Sequence, residues 1–196
     1  MKSLSVCSPL SKIEFTKTFL VLWTRNLTIC LIVMFFTSLV LFVLGGRVNY
    51  TPSYPVGLYW TLDKTPEKGD LVTFCPADND FFKEAKKRQY IAAGFCTGGY
   101  GELMKKIVAL EGDTVTANYE GVTVNNVKLI NSRNIGTDRH GRELGQYLAH
   151  NYKLSKEEVL LMSDYNASSF DGRYFGIQTT SQITNVVRPI LTEGKK

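Results

Sequence analysis

The chain has 196 residues, of which 44% are hydrophobic and 21% are charged. This length and composition predict one folded domain of ordinary size and exclude a disordered or collagen-like chain. The formal net charge is +5 at pH 7, and residues 1–44 account for +3 of it. A basic tail before an apolar segment is typical of membrane orientation and argues against a nucleic-acid-binding surface.

Residues 27–44, LTICLIVMFFTSLVLFVL, carry no charged side chain. A helix of this length spans roughly 27 Å, close to the ~30 Å hydrocarbon core of a bilayer. A cleaved signal peptide is the alternative, but the leading segment is long and the exit, Leu44-Gly45-Gly46, lacks the Ala-x-Ala pattern. A buried core helix is disfavoured because no face of the segment is polar. We therefore expect an uncleaved transmembrane anchor.

The distribution of basic residues predicts the orientation of this anchor. Four Lys or Arg residues precede it and only Arg47 follows closely, so the positive-inside rule places the N-terminus in the cytoplasm. The expected organisation is a cytoplasmic arm (1–26), a transmembrane anchor (27–44) and an outer domain (45–196). In a Gram-negative bacterium the anchor lies in the inner membrane, in contact with its lipid, and the outer domain lies in the periplasm.

The outer domain is predicted to be mainly β or β-rich α+β. One helix is expected after Asn79 or Asp80, either of which can cap it, and its basic side chains are interpreted as a solvated face. Asn125-Asn126 is typical of a tight turn between strands. The strands predicted from apolar segments are Leu71–Phe74, Lys105–Leu110, Val115–Ala117, Val122–Val124, Val127–Ile130, Val159–Met162 and Ile183–Leu191.

The four cysteines divide between the predicted compartments. Cys7 and Cys30 fall in the arm and the anchor, whereas Cys75 and Cys96 both fall in the outer domain. An even number of cysteines in an oxidising compartment predicts a disulfide, and two free buried thiols are the alternative. A Cys75–Cys96 bond closes a loop of about 20 residues, which stabilises the fold by roughly 3 kcal/mol in the chain-entropy model.

Only two histidines are present, His140 and His150, and neither has cysteine or carboxylate partners at metal-ligand spacing. We therefore expect no metal and no cofactor. His140 lies in a sequence typical of a surface turn, which disfavours a Ser-His-Asp triad. A cysteine nucleophile needs a nearby base, and the two cysteines of the outer domain are better explained as a pair. The remaining option is a serine or threonine activated by a neutral lysine, whose pKa must be lowered by burial in apolar surroundings.

The segment Met104–Leu110, MKKIVAL, places Lys105 and Lys106 at the head of an apolar strand. Side chains alternate along a strand and both faces are apolar here, so periodicity does not decide which lysine is buried, and two solvated lysines remain possible. Ser53 lies nine residues after Leu44, within about 30 Å of extended chain, and two prolines flank it. These prolines suit either a presented hydroxyl or a plain structural turn.

Three segments resemble one family in order and spacing. They are TPSYPVGLY, MKKIVALEGD and SDYNASSFDGRYFG, the last covering Ser163–Gly176. The chain resembles the signal peptidase I superfamily of Ser/Lys membrane proteases, and within it the TraF-type peptidases of conjugative transfer systems, which mature pilin. The resemblance implies a signal-peptidase-like, β-rich catalytic domain with one or two short helices.

The resemblance also implies roles for individual residues. Ser53 matches the nucleophile and Lys105 the general base, whereas Lys106 matches the family's second basic position. Thr51 matches the residue whose hydroxyl binds the oxyanion together with the Ser53 backbone N–H. Ser169 matches the serine that orients the lysine.

Two further features carry over from the family. Asp171 and Arg173 match a structural ion pair beneath the site, and the Cys75/Cys96 pair resembles a feature of the TraF branch. The sequence departs from the family pattern at Glu111, Ser163, Tyr165-Asn166 and Gly172, with Ser163 replacing a glycine. These departures affect the supporting turns and not the implied dyad.

The expected activity is that of a membrane-anchored serine endopeptidase that processes an exported pilin precursor for a conjugative type IV secretion system. Its acyl-enzyme reacts with water, or with the substrate's own N-terminus to give a cyclic pilin. The expected partners are this precursor, membrane lipid and secretion-system components. The alternatives are a general signal peptidase I and a non-catalytic pilus-assembly component.

Overall fold

The computed structural model describes residues 9–194, with side chains described for residue 17 and from residue 19 onward. Cys7 and the first eight residues of the predicted arm lie outside this range. The chain divides into two units, one ending at Gly45 and the other beginning at Gly46. The predicted start of the outer domain therefore lies one residue from the start of the second unit.

The described part of the first unit begins with one continuous helix, α1 (Pro9–Val43). Pro9 occupies the first turn, where a missing N–H is tolerated, and Gly45 adopts φ 106° just after the helix ends. Within α1, Phe19–Val43 is long and apolar enough to cross a membrane by length and composition, with a mean hydropathy of 2.4. This segment begins before the predicted anchor because the apolar residues preceding Arg25 continue the same helix.

The second unit is mainly β, as predicted. Its strands are β1 (Gly46–Asn49), β2 (Gly57–Leu62), β3 (Leu71–Phe74), β4 (Ala93–Cys96), β5 (Leu103–Ala109), β6 (Thr114–Asn118), β7 (Gly121–Val124), β8 (Val127–Lys128), β9 (Ala149–Lys153), β10 (Glu158–Met162), β11 (Gln178–Thr179) and β12 (Ile183–Thr192). The helices are α2 (Asp80–Lys87), α3 (Gly172–Phe175) and two 3₁₀ turns at Thr97–Gly99 and Thr180–Gln182.

Of the strands named, all except β4 form two antiparallel sheets. The larger has the order β1-β2-β12-β3-β5-β10-β11, and the smaller has the order β8-β7-β6-β9. In the larger sheet β5 lies between β3 and β10, so both of its edges are hydrogen-bonded. Val72, Ile107 and Leu161 on these three strands are buried in one hydrophobic cluster. The strand that carries the two lysines is therefore an interior strand of the sheet.

Local sequence signals identified several boundaries correctly. Asn79 caps α2, since its Oδ1 accepts a hydrogen bond from the Phe82 N–H at 3.0 Å. Asn125 and Asn126 both have positive φ, 51° and 65°, as a type I′ hairpin turn requires. The predicted strand Val127–Ile130 is shorter in the structure, ending at Lys128 because the chain turns toward the loop that precedes β9.

The predicted disulfide is present between Cys75 and Cys96. It joins the residue after β3 to the last residue of β4, and α2 lies in the loop that it closes. The bond thus fixes a helix that has only eight residues of its own. An isolated helix of this length is unstable in water, so its position depends on tertiary contacts and on the bond.

Replacing both cysteines, Cys75→Ser with Cys96→Ser, should lower the free energy of unfolding by about 3 kcal/mol, because the unfolded chain regains the entropy of the open loop. The measurement is urea unfolding of the purified full chain in detergent. Reductant should produce the same loss in the wild type. The control is Cys30→Ser, an exposed free cysteine in α1, which should leave the midpoint unchanged. Equal stability of the double variant and the wild type would contradict the prediction.

Candidate active site

The structure brings Ser53 and Lys105 together. Ser53 lies in the turn between β1 and β2, and Lys105 lies in β5. The Lys105 Nζ is 3.0 Å from the Ser53 Oγ, although the two residues are 52 positions apart in sequence. Lys105 is 1% exposed. An amine and a hydroxyl are therefore in hydrogen-bond contact at a position almost closed to water.

The strand register decides which of the two lysines is buried. Lys106 is the next residue of β5, and its side chain points to the opposite face. It remains 37% exposed and pairs with Asp164, with 2.7 Å between Lys106 Nζ and Asp164 Oδ2. Only Lys105 is in contact with Ser53, because alternation along β5 directs it to the face where the β1–β2 turn lies.

Burial lowers the pKa of Lys105 to about 8. Desolvation of the ammonium is the largest cause; the Asp171 carboxylate opposes it, and the Arg173 guanidinium acts in the same direction as desolvation. The Nζ also donates to the backbone oxygen of Met104 at 3.0 Å. A large fraction of this amine is thus neutral near pH 8, whereas an ordinary lysine remains protonated.

The Ser169 hydroxyl donates a hydrogen bond to the Ser53 hydroxyl. Ser169 is buried, and its Oγ lies 3.1 Å from the Ser53 Oγ. A donor on this side occupies a lone pair of the Ser53 oxygen and leaves the Ser53 proton free to point at Lys105 Nζ. Ser169 thus orients Ser53 and Lys105 through its contact with Ser53, whereas the family resemblance implied that Ser169 orients the lysine.

Asp171 and Arg173 form the predicted ion pair. Two parallel hydrogen bonds join them, Nε to Oδ1 at 2.8 Å and Nη2 to Oδ2 at 2.9 Å, and both side chains are buried. Asp171 Oδ2 also accepts the Ser163 N–H at 3.0 Å, and Arg173 Nη1 donates to the Ala167 oxygen at 2.6 Å. The pair therefore holds two points, Ser163 and Ala167, in the segment that leads to Ser169.

Two side chains that the sequence did not single out for the site hold the turn that carries Ser53 by its backbone. The Ser163 Oγ donates to the Ser53 carbonyl oxygen at 2.6 Å, and the Asn166 Nδ2 donates to the Pro52 oxygen at 2.9 Å. Both lie where the sequence departs from the family pattern. No local signal reveals these contacts, because the partners are more than 100 residues apart.

Thr51 lies two residues before Ser53, and its hydroxyl is hydrogen-bonded to another side chain. Its Oγ1 donates to Asn49 Oδ1 at 2.8 Å. The Asn49 Nδ2 donates to three backbone oxygens, those of Thr51, Tyr54 and Pro55, which fixes the orientation of the amide. Thr51 must therefore rotate its hydroxyl away from Asn49 before it can donate to a group at Ser53.

A cleft of about 750 Å³ gives access to the Ser53–Lys105 pair. Its apolar lining includes Tyr50, Ile91, Leu103 and Phe170, and its polar lining includes Ser169. A cleft of this size suits a segment of peptide. Among residues 17–194, no group of three or more His, Cys, Asp or Glu side chains is arranged to hold a metal ion.

The sequence matches a known family over most of its length. The profile described as "Signal peptidase, peptidase S26" matches residues 17–191. The chain therefore belongs to the signal peptidase, peptidase S26, family. This confirms the resemblance noted from the three sequence segments and establishes a β-rich, signal-peptidase-like protein.

Curated relatives identify the branch of this family. The chain is 51% identical over 148 residues to a plasmid transfer protein TraF of Escherichia coli, covering 76% of this chain and 83% of the relative. It is 34% identical over 151 residues to a conjugal transfer protein TraF of Agrobacterium fabrum strain C58, with the same coverage. A crystal structure of a signal peptidase I from Enterococcus faecalis V583 is 17% identical, with a TM-score of 0.35 over 63% of this chain and 97% of that one. A likeness this distant carries no argument about the site.

The variant Ser163→Ala should lower kcat for peptide cleavage about tenfold and leave KM near the wild-type value, since a lost hydrogen bond of about 1–1.5 kcal/mol loosens the turn that carries Ser53. Cleavage kinetics of the full chain in detergent measure this split. Ser181→Ala, an exposed serine in the second 3₁₀ turn, is the matched control. An unchanged kcat, or a loss confined to KM, would contradict a positioning role for Ser163.

Proposed function

We propose that the chain is a membrane-anchored serine endopeptidase in which Ser53 is the nucleophile and Lys105 is the general base. The observation that carries this proposal is the 3.0 Å contact between the Ser53 Oγ and a lysine amine that is 1% exposed. Burial supplies the neutral base that a serine hydroxyl needs, because an exposed lysine stays protonated at neutral pH.

The reaction follows from this geometry. Neutral Lys105 accepts the Ser53 proton while the Ser53 Oγ forms a bond to the carbonyl carbon of the scissile peptide. The Lys105 ammonium then returns a proton to the leaving nitrogen as the C–N bond breaks, which leaves an ester on Ser53. In the second half Lys105 takes a proton from the attacking water or amine as this group forms a bond to the acyl carbon. The ester C–O bond then breaks, and Lys105 returns the proton to the Ser53 Oγ.

Two donors are proposed to stabilise the negative charge on the carbonyl oxygen. One is the Ser53 backbone N–H, which has no hydrogen-bond acceptor within residues 17–194. The other is the Thr51 hydroxyl after it turns from Asn49. One such donor typically contributes about 3–4 kcal/mol to the transition state. Thr51 would give up its hydrogen bond to Asn49 and donate to the oxyanion instead. It would therefore donate to the substrate only when negative charge develops on the carbonyl oxygen.

The proposed substrate is an exported pilin precursor of a conjugative type IV secretion system. The relatives carry the names plasmid transfer and conjugal transfer protein, which supports this setting. In the proposed arrangement the anchor within α1 holds the enzyme in the inner membrane, with its N-terminus in the cytoplasm and its catalytic domain in the periplasm. The Cys75–Cys96 disulfide supports an oxidising compartment. An enzyme and a precursor held in one membrane meet at raised effective concentration.

Variants of Ser53, Lys105 and Lys106 test whether processing depends on the proposed dyad or on the neighbouring lysine. Co-expression of a pilin precursor with Ser53→Ala or Lys105→Ala enzyme should leave the precursor unprocessed, because nucleophile or base is missing. Lys106→Ala should still yield the mature mass, since Lys106 faces away from Ser53. Intact-mass spectrometry of the pilin is the measurement. A product lighter than the linear form by about 18 Da, one water, indicates cyclisation through the acyl-enzyme.

Processing that survives Ser53→Ala would overturn the catalytic assignment and favour a non-catalytic assembly component. A wild-type enzyme that cleaves many unrelated preproteins as readily as the pilin precursor would instead favour a general signal peptidase I. Both outcomes are read in the same assay, with the abundance of the Ser53→Ala protein in the membrane as the control for expression.

The pH dependence of cleavage should report the buried base. With a Lys105 pKa of about 8, kcat/KM should be low in acid, rise through a midpoint near that value and level off above it, because only the neutral amine accepts the Ser53 proton. A steady-state profile on the wild type measures this. A profile that is flat between about pH 6 and 9 would show that no lysine base titrates in the free enzyme.

A further inference from the structure

One wall of the cleft that contains Ser53 is strongly basic. It consists of the end of α2 with the residues that follow it, and of the loop between β8 and β9. We call it the basic wall, and its charged side chains are four cations and one carboxylate: Lys86, Arg88, Arg139, Arg142 and Asp138. The sequence predicted that the basic residues of α2 form a solvated face, yet Lys86 and Arg88 line the cleft.

The loop of the basic wall is held in place by its one carboxylate. Asp138 Oδ1 accepts the backbone N–H groups of His140 and Arg142, at 2.8 and 2.9 Å. Its Oδ2 accepts the Arg142 Nε at 2.7 Å and the Tyr90 hydroxyl. The turn between these residues, which carries Arg139, is therefore fixed before any ligand arrives.

Two of the four cations serve to hold the wall together. Arg88 pairs with Glu84 at 2.8 Å, and its Nη1 donates to the Glu143 oxygen at 3.0 Å. Arg142 pairs with Asp138, and its Nη2 donates to the Arg88 oxygen at 3.2 Å. These contacts join α2 to the β8–β9 loop, and each of these two charges has a carboxylate partner.

The other two cations are not compensated. Neither Lys86 nor Arg139 forms an ion pair within the part of the chain whose side chains are described. Lys86 Nζ donates to the Gly98 oxygen at 3.1 Å and lies 5.4 Å from the centre of the Tyr100 ring, which leaves two of its N–H groups available. Two such cations in one cleft generate a positive potential that attracts an anion.

We propose that Lys86 and Arg139 bind a carboxylate of the peptide that is cleaved at Ser53. This carboxylate is either an acidic side chain near the scissile bond or the free C-terminus of the substrate. The inference rests on the proposed function, because it gives the specificity of the same cleft. A peptide is favoured over a lipid because the basic wall and Ser53 line one cleft, so a peptide bound in this cleft at Ser53 lies near these cations.

The test uses the purified full chain in zwitterionic detergent. Synthetic peptides carry small residues at the scissile position, with Asp or Glu in the flanks or the matched Asn or Gln. Each is made with a free C-terminus and with a C-terminal amide, so that the two sources of the carboxylate are separated. The values of kcat/KM come from product quantification by mass spectrometry.

For the wild type, replacing the recognised carboxylate by its amide should lower kcat/KM about tenfold, as for loss of a charge-assisted hydrogen bond. Lys86→Gln and Arg139→Gln should each lower kcat/KM by a similar factor on the acidic peptide and have little effect on its amide. The matched control is Lys83→Gln on α2, whose side chain pairs with Asp80 and does not line the cleft. The wild-type preference should shrink at high salt.

Other outcomes distinguish this inference from the proposed function. Equal cleavage of acidic and amide peptides by the wild type overturns the carboxylate site but leaves the peptidase intact. Absence of any cleavage that depends on Ser53 overturns the proposed function and the inference together. If Arg139→Gln lowers activity only when phosphatidylglycerol vesicles are present, the basic wall binds lipid headgroups, and the peptide-carboxylate assignment is wrong.

Discussion

The site depends on the burial of one lysine amine in the middle of a sheet. Lys105 lies on β5 between β3 and β10, where water is excluded and the charged form of the amine is disfavoured. The Ser53 Oγ and the Met104 carbonyl oxygen satisfy its hydrogen bonds. A buried amine without such partners would destabilise the fold by several kcal/mol. Burial of the Lys105 amine costs folding free energy. The same burial favours the neutral form of the amine, which can accept a proton.

The surroundings of the pair are rigid because distant segments meet there. The β1–β2 turn, which carries Ser53, is held by Ser163 and Asn166. The Asp171–Arg173 pair in turn holds the segment that contains Ser163 and Asn166. The part of the basic wall that α2 contributes lies in the loop that the Cys75–Cys96 disulfide closes. Breaking a buried ion pair by removing one partner typically destabilises a protein by about 3–5 kcal/mol, so Asp171 supports both fold and geometry.

Local patterns in the sequence were sufficient for those features that local physics determines. The strand Leu71–Phe74, the Asn79 cap and the Asn125-Asn126 turn were predicted correctly, since each depends on neighbouring residues. The two short strands beside Ser53, β1 and β2, were not predicted, because their Pro- and Gly-rich surroundings are typical of turns. Which lysine is buried was also undetermined by periodicity, since both faces of β5 are apolar. The pairing of β5 with β3 and β10 decides which of the two lysines is buried.

The contacts that support the site could not be predicted from the sequence. Ser163 was noted only as a departure from a family pattern, yet its hydroxyl holds the Ser53 carbonyl. Lys86 was assigned to a solvated helix face, because no local signal shows that the β8–β9 loop folds against α2. Each of these contacts joins segments more than 50 residues apart. Composition and spacing cannot reveal them, whereas the folded chain does.

The central claim is that burial gives Lys105 a neutral amine at the pH where the protein works. The direct measurement is a pH titration of the lysine Cε resonances by NMR, using ¹³C-lysine-labelled full chain in detergent and Lys105→Arg to assign the signal. The account predicts a midpoint of about 8 for this lysine. Titration near 10.5, the ordinary lysine value, would contradict it, because Lys105 would then remain protonated and Ser53 would have no base.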